Sequence, residues 1–320
     1  MRCLALAQAW LATGGKAVFV VAELPAGLQT RLSADRVAVV SIGHRAGGID
    51  DAAATIQIAN DSHATWVVVD GDTFGAEYLQ ALYDSGLRIL LVDDFASRTS
   101  FPAHLILNPN VAASEEAYRR KGSSAPLLLG SSHTPLRREF ISVNRERVFP
   151  ERAQRVLVTL GGSDPENLTP RIVDTLRALD GLHVIAVAGA SFEHWSELEA
   201  LAGPNVTPIS NASNMPELMH GADLAITAAG GTLWELLYSR CPVMSYARNP
   251  VQARVVVWVA KLGAARDLGD AKSFAATVLA DGVEDLAANR TLRQQMADAG
   301  SLLMDGRGPQ RVIAAIRRMS

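Results

Sequence analysis

Several common ways of living and acting are closed to this chain by what it lacks. Its 320 residues include two cysteines, Cys3 and Cys241, far apart and without the spacing of a metal knuckle or a redox pair. Neither a disulfide scaffold nor a zinc module is supported. Each cysteine reads as a small buried apolar residue, and a reducing cytoplasm is the compartment that fits. No apolar stretch approaches the roughly 20 residues needed to span a bilayer. The opening MRCLALAQAWLATGG imitates a signal peptide, but Gln8 interrupts the apolar run and no disulfide framework follows. It therefore reads as an amphipathic helix over 4–13 that stops at Gly14-Gly15. With a net charge of −3 and a pI near 6.2, the chain offers no basic field for nucleic acid or an anionic membrane. A phosphorylated small molecule is the expected partner, held by local donors. Oligomeric state is left open.

Familiar catalytic signatures are missing as well. There is no GxGxxG, no P-loop lysine, no GxSxG elbow and no HExxH, so dinucleotide oxidoreductase, P-loop NTPase, serine hydrolase and zincin chemistry find no support. The seven histidines, His44, His63, His104, His133, His183, His194 and His220, form no close metal pattern. His44, in SIGHRAGG, is the most accessible of them because of its flanking glycines.

What the chain does have is alternation. Short Val/Ile/Leu runs at 16–23, 37–42, 66–70, 89–93 and 105–107 are separated by helical stretches such as 50–60 and 77–85. After a charged, proline-containing stretch between Phe140 and Arg155, which reads as the linker between domains, the pattern resumes at 155–160, 183–189, 205–209, 223–227 and 242–247. Continuous apolar strands alternating with helices predict parallel sheets covered on both faces. Length points to two domains: 1–145, then 146–305, with 306–320 as a closing helix that could pack back over the hinge. Polar strand tips at Asp70-Gly71-Asp72, Asp93-Asp94 and Asn108-Pro109-Asn110 are candidate ligand contacts, since open parallel sheets bind outside the carboxyl ends of their strands. They can equally be ordinary solvated loops.

Two glycine stretches carry the strongest chemistry. In DLAITAAGGTLWELL a buried strand runs through Gly230-Gly231 into a helix expected to open at Thr232. Free amides and the positive end of a helix dipole would meet there, as an anion requires. Glu235 is placed to grip two vicinal ribose hydroxyls, or merely to stabilise the first turn of the helix. In LGGSDPENLT, Gly161 and Gly162 permit close backbone approach, while Ser163, Asp164 and Asn167 supply polar groups at the mouth of the next helix. The same residues can serve as its N-cap.

Taken together, MRCLALAQAW, VVVDGD, LLVDDF, NPN, LRREF, LGGSDPENLT, AAGGTLWELL and the region of Asn249 resemble, in order from Met1 to about Gly269, the PseG/SpsG family. These are UDP-sugar hydrolases of pseudaminic acid biosynthesis and relatives in spore-coat or surface polysaccharide biosynthesis. The resemblance implies an α/β, GT-B-like fold of two Rossmann-type parallel-sheet domains facing each other across a cleft. It implies UDP on the second domain, with Glu235 holding the ribose and Gly230, Gly231 and Thr232 the pyrophosphate. Gly161, Gly162, Ser163 and Asn167 would line the opposite wall, Arg137 would reach the cleft from the first domain, and Asn249 would lie near the sugar. No cofactor and no metal is implied.

Three departures matter. Pro250 replaces the glutamine that usually follows the asparagine, and Asp72 stands where members often carry a tyrosine. The family begins with a strand and a GxGHxxRCLALA loop; Met1 falls between its histidine, proposed as general base, and its arginine, so the strand and the GxGH part would lie ahead of Met1. The expectation is that Met1 is an internal methionine of a longer protein, and that β-strands beside the first one are left with open edges. The activity implied is hydrolysis of a UDP-linked diacetamido-trideoxy sugar with inversion, water being activated by that histidine. If turnover resides in this chain alone, Asp72 or His44 would be the groups to test. The alternatives are a GT-B glycosyltransferase using a UDP-sugar, and a truncated protein that binds UDP without turnover.

Overall fold

A computed structural model describes residues 1–24 and 26–319. The chain divides into two compact units, Met1–Arg138 together with the closing stretch from Gly306, and Glu139–Asp305.

The first unit runs α1 (Arg2–Leu11), β1 (Val18–Val21), α2 (Ala26–Ala34), β2 (Ala38–Ser41), α3 (Ile49–Asp61), β3 (Trp66–Asp70), α4 (Ala76–Asp84), β4 (Arg88–Val92), β5 (Leu105–Asn108), α5 (Glu115–Arg119) and β6 (Leu127–Leu129), then α6 (Arg138–Ile141) at its boundary. Strands β3-β4-β5-β6 form one parallel sheet and β1-β2 a separate parallel pair. The apolar runs explain the larger sheet, since β4 and β5 are buried almost throughout. In β1 and β2 most residues are only half-buried or exposed. Helix α1 joins the two sheets: Leu6 packs with Leu90, Val92 and Leu105, while Leu4 packs with Leu32 and Val37. Gln8, which seemed to break its apolar run, is buried, its Nε2 donating to Asp35 Oδ2 (3.0 Å) and its Oε1 accepting from the amide of Arg138 (2.9 Å).

The second unit runs β7 (Arg155–Thr159), α7 (Leu168–Leu176), β8 (His183–Ala188), α8 (Trp195–Glu199), β9 (Val206–Ser210), α9 (Met215–Gly221), β10 (Leu224–Ala228), α10 (Gly231–Tyr238), β11 (Val243–Ala247), α11 (Pro250–Lys261), β12 (Arg266–Asp270), α12 (Ala276–Ala288) and α13 (Arg290–Leu303). The last helix, α14 (Gly308–Arg318), belongs to the first unit and places Val312, Ile313 and Ile316 in the cluster that also holds Leu6 and Leu90. The six strands of the second unit are parallel in the order β12-β11-β10-β7-β8-β9. The chain therefore steps outward from β7 through β8 to β9, then returns to the other side of β7 and steps outward again from β10. This is the doubly wound order, and its direction reverses between β7 and β10.

The stretch read as a linker is pegged to the second unit. Arg145 Nε donates to the Tyr238 carbonyl (2.8 Å), and Arg147 to the carbonyls of Met219 (2.7 Å) and Ala222. Its charge thus serves the carbonyl ends of α9 and α10, where cations are favoured. The structural division lies at Arg138–Glu139, ahead of that stretch.

Candidate functional site

A reversal of strand order opens a crevice at the carboxyl ends of the two strands that flank it, because the following helices leave on opposite faces of the sheet. In the second unit those strands are β7 and β10. Their exits are Leu160-Gly161-Gly162 and Ala229-Gly230-Gly231, the two glycine stretches singled out in the sequence. Register brings Thr159 of β7, Thr227 of β10 and Ser245 of β11 side by side just below the rim. The next loop on one side, after β11, carries Arg248 and Asn249. On the other side, Gly189 at the end of β8 has no room for a Cβ against the backbone of Gly161 and Gly162, and Ser191 donates its amide to the Gly162 carbonyl (3.0 Å).

Helix α10 begins at Gly231, not at Thr232, with Gly230 as an extended N-cap (φ −100°, ψ −154°) and no side chain capping it. The amide of Leu233 turns back to the Gly230 carbonyl (3.2 Å). Those of Gly231 and Thr232, with no earlier turn to receive them, are the donors available to a ligand. A Cβ on Gly231 would enter open space, so nothing in the protein itself demands glycine there. The earlier start moves Glu235 to the fifth helical residue, and no acid lies in the first turn. Its reading as a first-turn partner of the helix dipole is therefore overturned, because the dipole's influence falls off within that turn. Glu235 is half-buried and makes an interaction of its own within the protein.

The loop after β7 is held in an uncommon shape. Asp164 (φ 42°) and Asn167 (φ 49°) are both left-handed, a conformation their short polar side chains tolerate. Asp164 Oδ2 accepts from the amide of Thr169 (2.7 Å), and the amide of Asn167 donates to the Asp164 carbonyl (2.9 Å). Asn167 Nδ2 donates to Glu197 Oε2 (2.7 Å). The second carboxylate oxygen of Asp164 and the amide oxygen of Asn167 are buried with no hydrogen-bond partner among the described residues. Such acceptors can take a donor from a ligand. Gly161 (φ 92°) needs its glycine, while Gly162 and Ser163 are exposed.

Asn249 caps α11, its Oδ1 accepting from the amides of Val251 (3.1 Å) and Gln252 (2.9 Å), and Pro250 occupies the first helical position. The proline that departs from the family pattern thus suits a helix start, where its missing N–H costs nothing. Three groups here escaped the sequence. Arg248 Nε donates to Glu166 Oε2 (2.7 Å), its Nη1 points to the Leu160 carbonyl (3.4 Å), and its amide donates to Gln252 Oε1 (3.0 Å). Only the adjacency of Arg248 to Asn249 could have flagged it, since its partner lies 82 residues away.

In the first unit the strand tips are mostly satisfied from within. Arg2 bridges Asp70 and Asp94, both at 2.6 Å. Asp93, wholly buried, is paired with Arg98 and accepts from Tyr118 Oη (2.8 Å) and from the Ala96 amide (2.7 Å). Asn108 donates to Tyr118 Oη (2.8 Å). Asp72 stays exposed; desolvation, with the carboxylates of Asp94 and Asp93 adding to it against the pull of Arg98, lifts its carboxyl above the usual range. His44 is exposed in a loop whose Gly47 abuts the Thr73 carbonyl. Arg137 is buried in the first unit, 5% exposed and engaged within the protein.

Comparison with known proteins bears on this geometry in two ways. No family model matches the chain. An uncharacterized protein of Methanocaldococcus jannaschii is 25% identical over 197 residues, 58% of this chain and 41% of that protein. The spore coat polysaccharide biosynthesis protein SpsG of Bacillus subtilis is 25% identical over 193 residues, 59% of this chain and 57% of its own length. The chain spans about half the length of the curated relatives it matches. Among solved structures, S. aureus MnaA with UDP superposes with a TM-score of 0.73 at 14% identity, covering 100% of this chain and 94% of the other. MurG of Acinetobacter baumannii gives 0.68 at 15% identity, covering 99% and 95%. The fold is that of GT-B proteins, two parallel-sheet α/β units. Among the described residues no helix is long and apolar enough to cross a membrane.

Proposed function

We propose that the chain is an enzyme of polysaccharide biosynthesis that binds a UDP-sugar at the carboxyl ends of β7, β10 and β11, and that the reaction is hydrolysis to free sugar and UDP. The observation that carries the proposal is the Gly230-Gly231 turn. It lies at the reversal of strand order, it opens an uncapped helix onto open space, and it has Glu235 one helical turn further on. Amides of Gly231 and Thr232 would receive the diphosphate, where the helix dipole favours the charge that grows on departing UDP. Glu235 would accept from the ribose hydroxyls. The unpaired oxygens of Asp164 and Asn167, with Gly161, Gly162 and Ser163, would form the facing wall, and Asn249 would offer the sugar its amide nitrogen. Arg137 joins this set by resemblance alone.

SpsG and MnaA support the class of ligand: the one is named for polysaccharide biosynthesis, the other was solved with UDP. The diacetamido-trideoxy sugar, the inversion and the pseudaminic acid pathway come from the resemblance. A trial with UDP-linked diacetamido-trideoxy sugars and no acceptor tests the reaction. Release of UDP with an equal amount of free sugar, of inverted anomeric configuration, is expected. UDP release that appears only when a hydroxyl acceptor is added would make the protein a glycosyltransferase instead. Saturable UDP binding with no turnover under either condition would leave a nucleotide-binding protein.

A further inference from the structure

The strand-end loops of the second unit are short of positive charge. Those following β7, β8, β10 and β11, residues 160–167, 189–194, 229–230 and 248–249, contain one arginine or lysine, Arg248, beside the acids Asp164, Glu166 and Glu193. Helix amides alone would have to offset a diphosphate in a rim of like charge, in a chain whose net charge is already −3. Arg248 is the cation placed to help. It leaves the end of β11 and pairs with Glu166 and the Leu160 carbonyl beyond β7, while β10 lies between β11 and β7 in the sheet. Its side chain therefore reaches from the end of β11 to the loop beyond β7, with the end of β10, where Gly230 turns into α10, lying between the two in strand order. Gln252 fixes the base of this arm: its Oε1 holds the Arg248 amide (3.0 Å), and its Nε2 lies 3.9 Å from where a Gly230 Cβ would be. Of the five N–H donors of a guanidinium, two are engaged among the described residues, one with Glu166 and one with the Leu160 carbonyl. The ion pair is largely but not wholly shielded, with 18% and 24% of the two side chains exposed.

We propose that Arg248 is the diphosphate-binding cation of this site, held by Glu166 while the site is empty and shared with or surrendered to the phosphates when nucleotide binds. This rests on the UDP reading above and adds to it a named residue and a competitor. Glu166 occupies the arginine in place of phosphate, so it lowers affinity for charged ligands and keeps the arm in position. Guanidinium presents paired donors that match phosphate oxygens as well as carboxylate, which makes the exchange a like-for-like one.

Calorimetric titration of uridine, UMP and UDP into the wild-type protein and into Arg248→Ala, Arg248→Lys and Glu166→Gln tests it, with thermal melts of the ligand-free proteins alongside. In the wild type UDP should bind more tightly than uridine. In Arg248→Ala the ratio of UDP to uridine affinity should fall by about 10- to 100-fold, with uridine itself unchanged, and Arg248→Lys should recover part of it. Glu166→Gln keeps the arginine and frees it, so UDP should bind severalfold more tightly and uridine as before. An unchanged UDP-to-uridine ratio in an Arg248→Ala protein that melts like the wild type would overturn the inference while leaving the nucleotide reading intact. If Arg248→Ala does not fold, unchanged or weaker UDP binding by Glu166→Gln would overturn it in its place. A wild-type protein that binds neither uridine nor UDP would instead remove the reading on which the inference stands.

Discussion

Arg293 shows how far a single side chain can be structural without looking so in the sequence. Its side chain is wholly buried, with Nη1 donating to the carbonyls of Leu286 (2.6 Å) and Ala287 (2.7 Å) and Nη2 to that of Pro150. It thus ties the chain's entry into the second unit to the junction of α12 and α13. Arg293→Met leaves those carbonyls without a donor, and urea unfolding should show a loss of about 3 kcal/mol or more. The two cysteines make the opposite point. Burial, and for Cys3 the charge of Asp70, pushes the thiols up to about 12 for Cys3 and about 11 for Cys241. Both should react with iodoacetamide at pH 8 about 10- to 100-fold more slowly in the native protein than after denaturation, because the thiolate fraction falls faster than its nucleophilicity rises. Mass spectrometry of the labelled protein reads this directly. That Cys241 is buried was legible in its isolation, whereas Cys3 is only half-buried; that Arg293 is not a surface arginine was not legible, because its acceptors come from segments up to 143 residues away.

Two helix starts at the site contrast with each other. Helix α11 is closed by Asn249, and Asn249→Ala should cost about 1 kcal/mol of stability. Helix α10 has no such cap, and its first residue is a glycine without a steric reason to be one. Gly231→Ala should therefore leave the melting temperature unchanged or slightly raised, since alanine restricts the unfolded chain more. It should nevertheless weaken UDP binding by about tenfold if a phosphate passes where the Cβ would sit. Stability kept and affinity lost together distinguish a ligand's glycine from a fold's glycine. The strands beneath these helices were legible because each is a continuous apolar run buried on both faces. Strands β6 and β12 were not: β12, RDLGD, is polar and lies at the sheet's edge, where main-chain pairing with β11 holds it and Leu268 is its one buried residue, packed into the core. The stretch around Arg145 and Arg147 was misleading for the converse reason, since its charges are spent on helix carbonyls and not on water.

At the scale of the whole molecule, alternation along the chain conveys the two parallel-sheet units, because a strand that must be covered on both faces leaves a signature in every segment. It does not convey how evenly stability is spread. Among the described residues of the first unit β1 and β2 pair only with each other, and Val18 and Val40 are 39% and 37% exposed. A two-stranded sheet is marginal by itself. Amide hydrogen exchange should be about tenfold or more faster in β1 and β2 than in β4, which is flanked on both sides and buried along most of its length. The site is spread over the second unit in the same non-local way: the glycines and Glu235 stand out in sequence, whereas the Arg248–Glu166 pair exists only once β11 and β7 have been set on either side of β10. Titration of UDP into the wild-type protein and into Glu235→Ala tests the central claim most directly. The account predicts one saturable site in the wild type and an affinity lower by about 10- to 100-fold in the variant; equal affinity in the two proteins would contradict it.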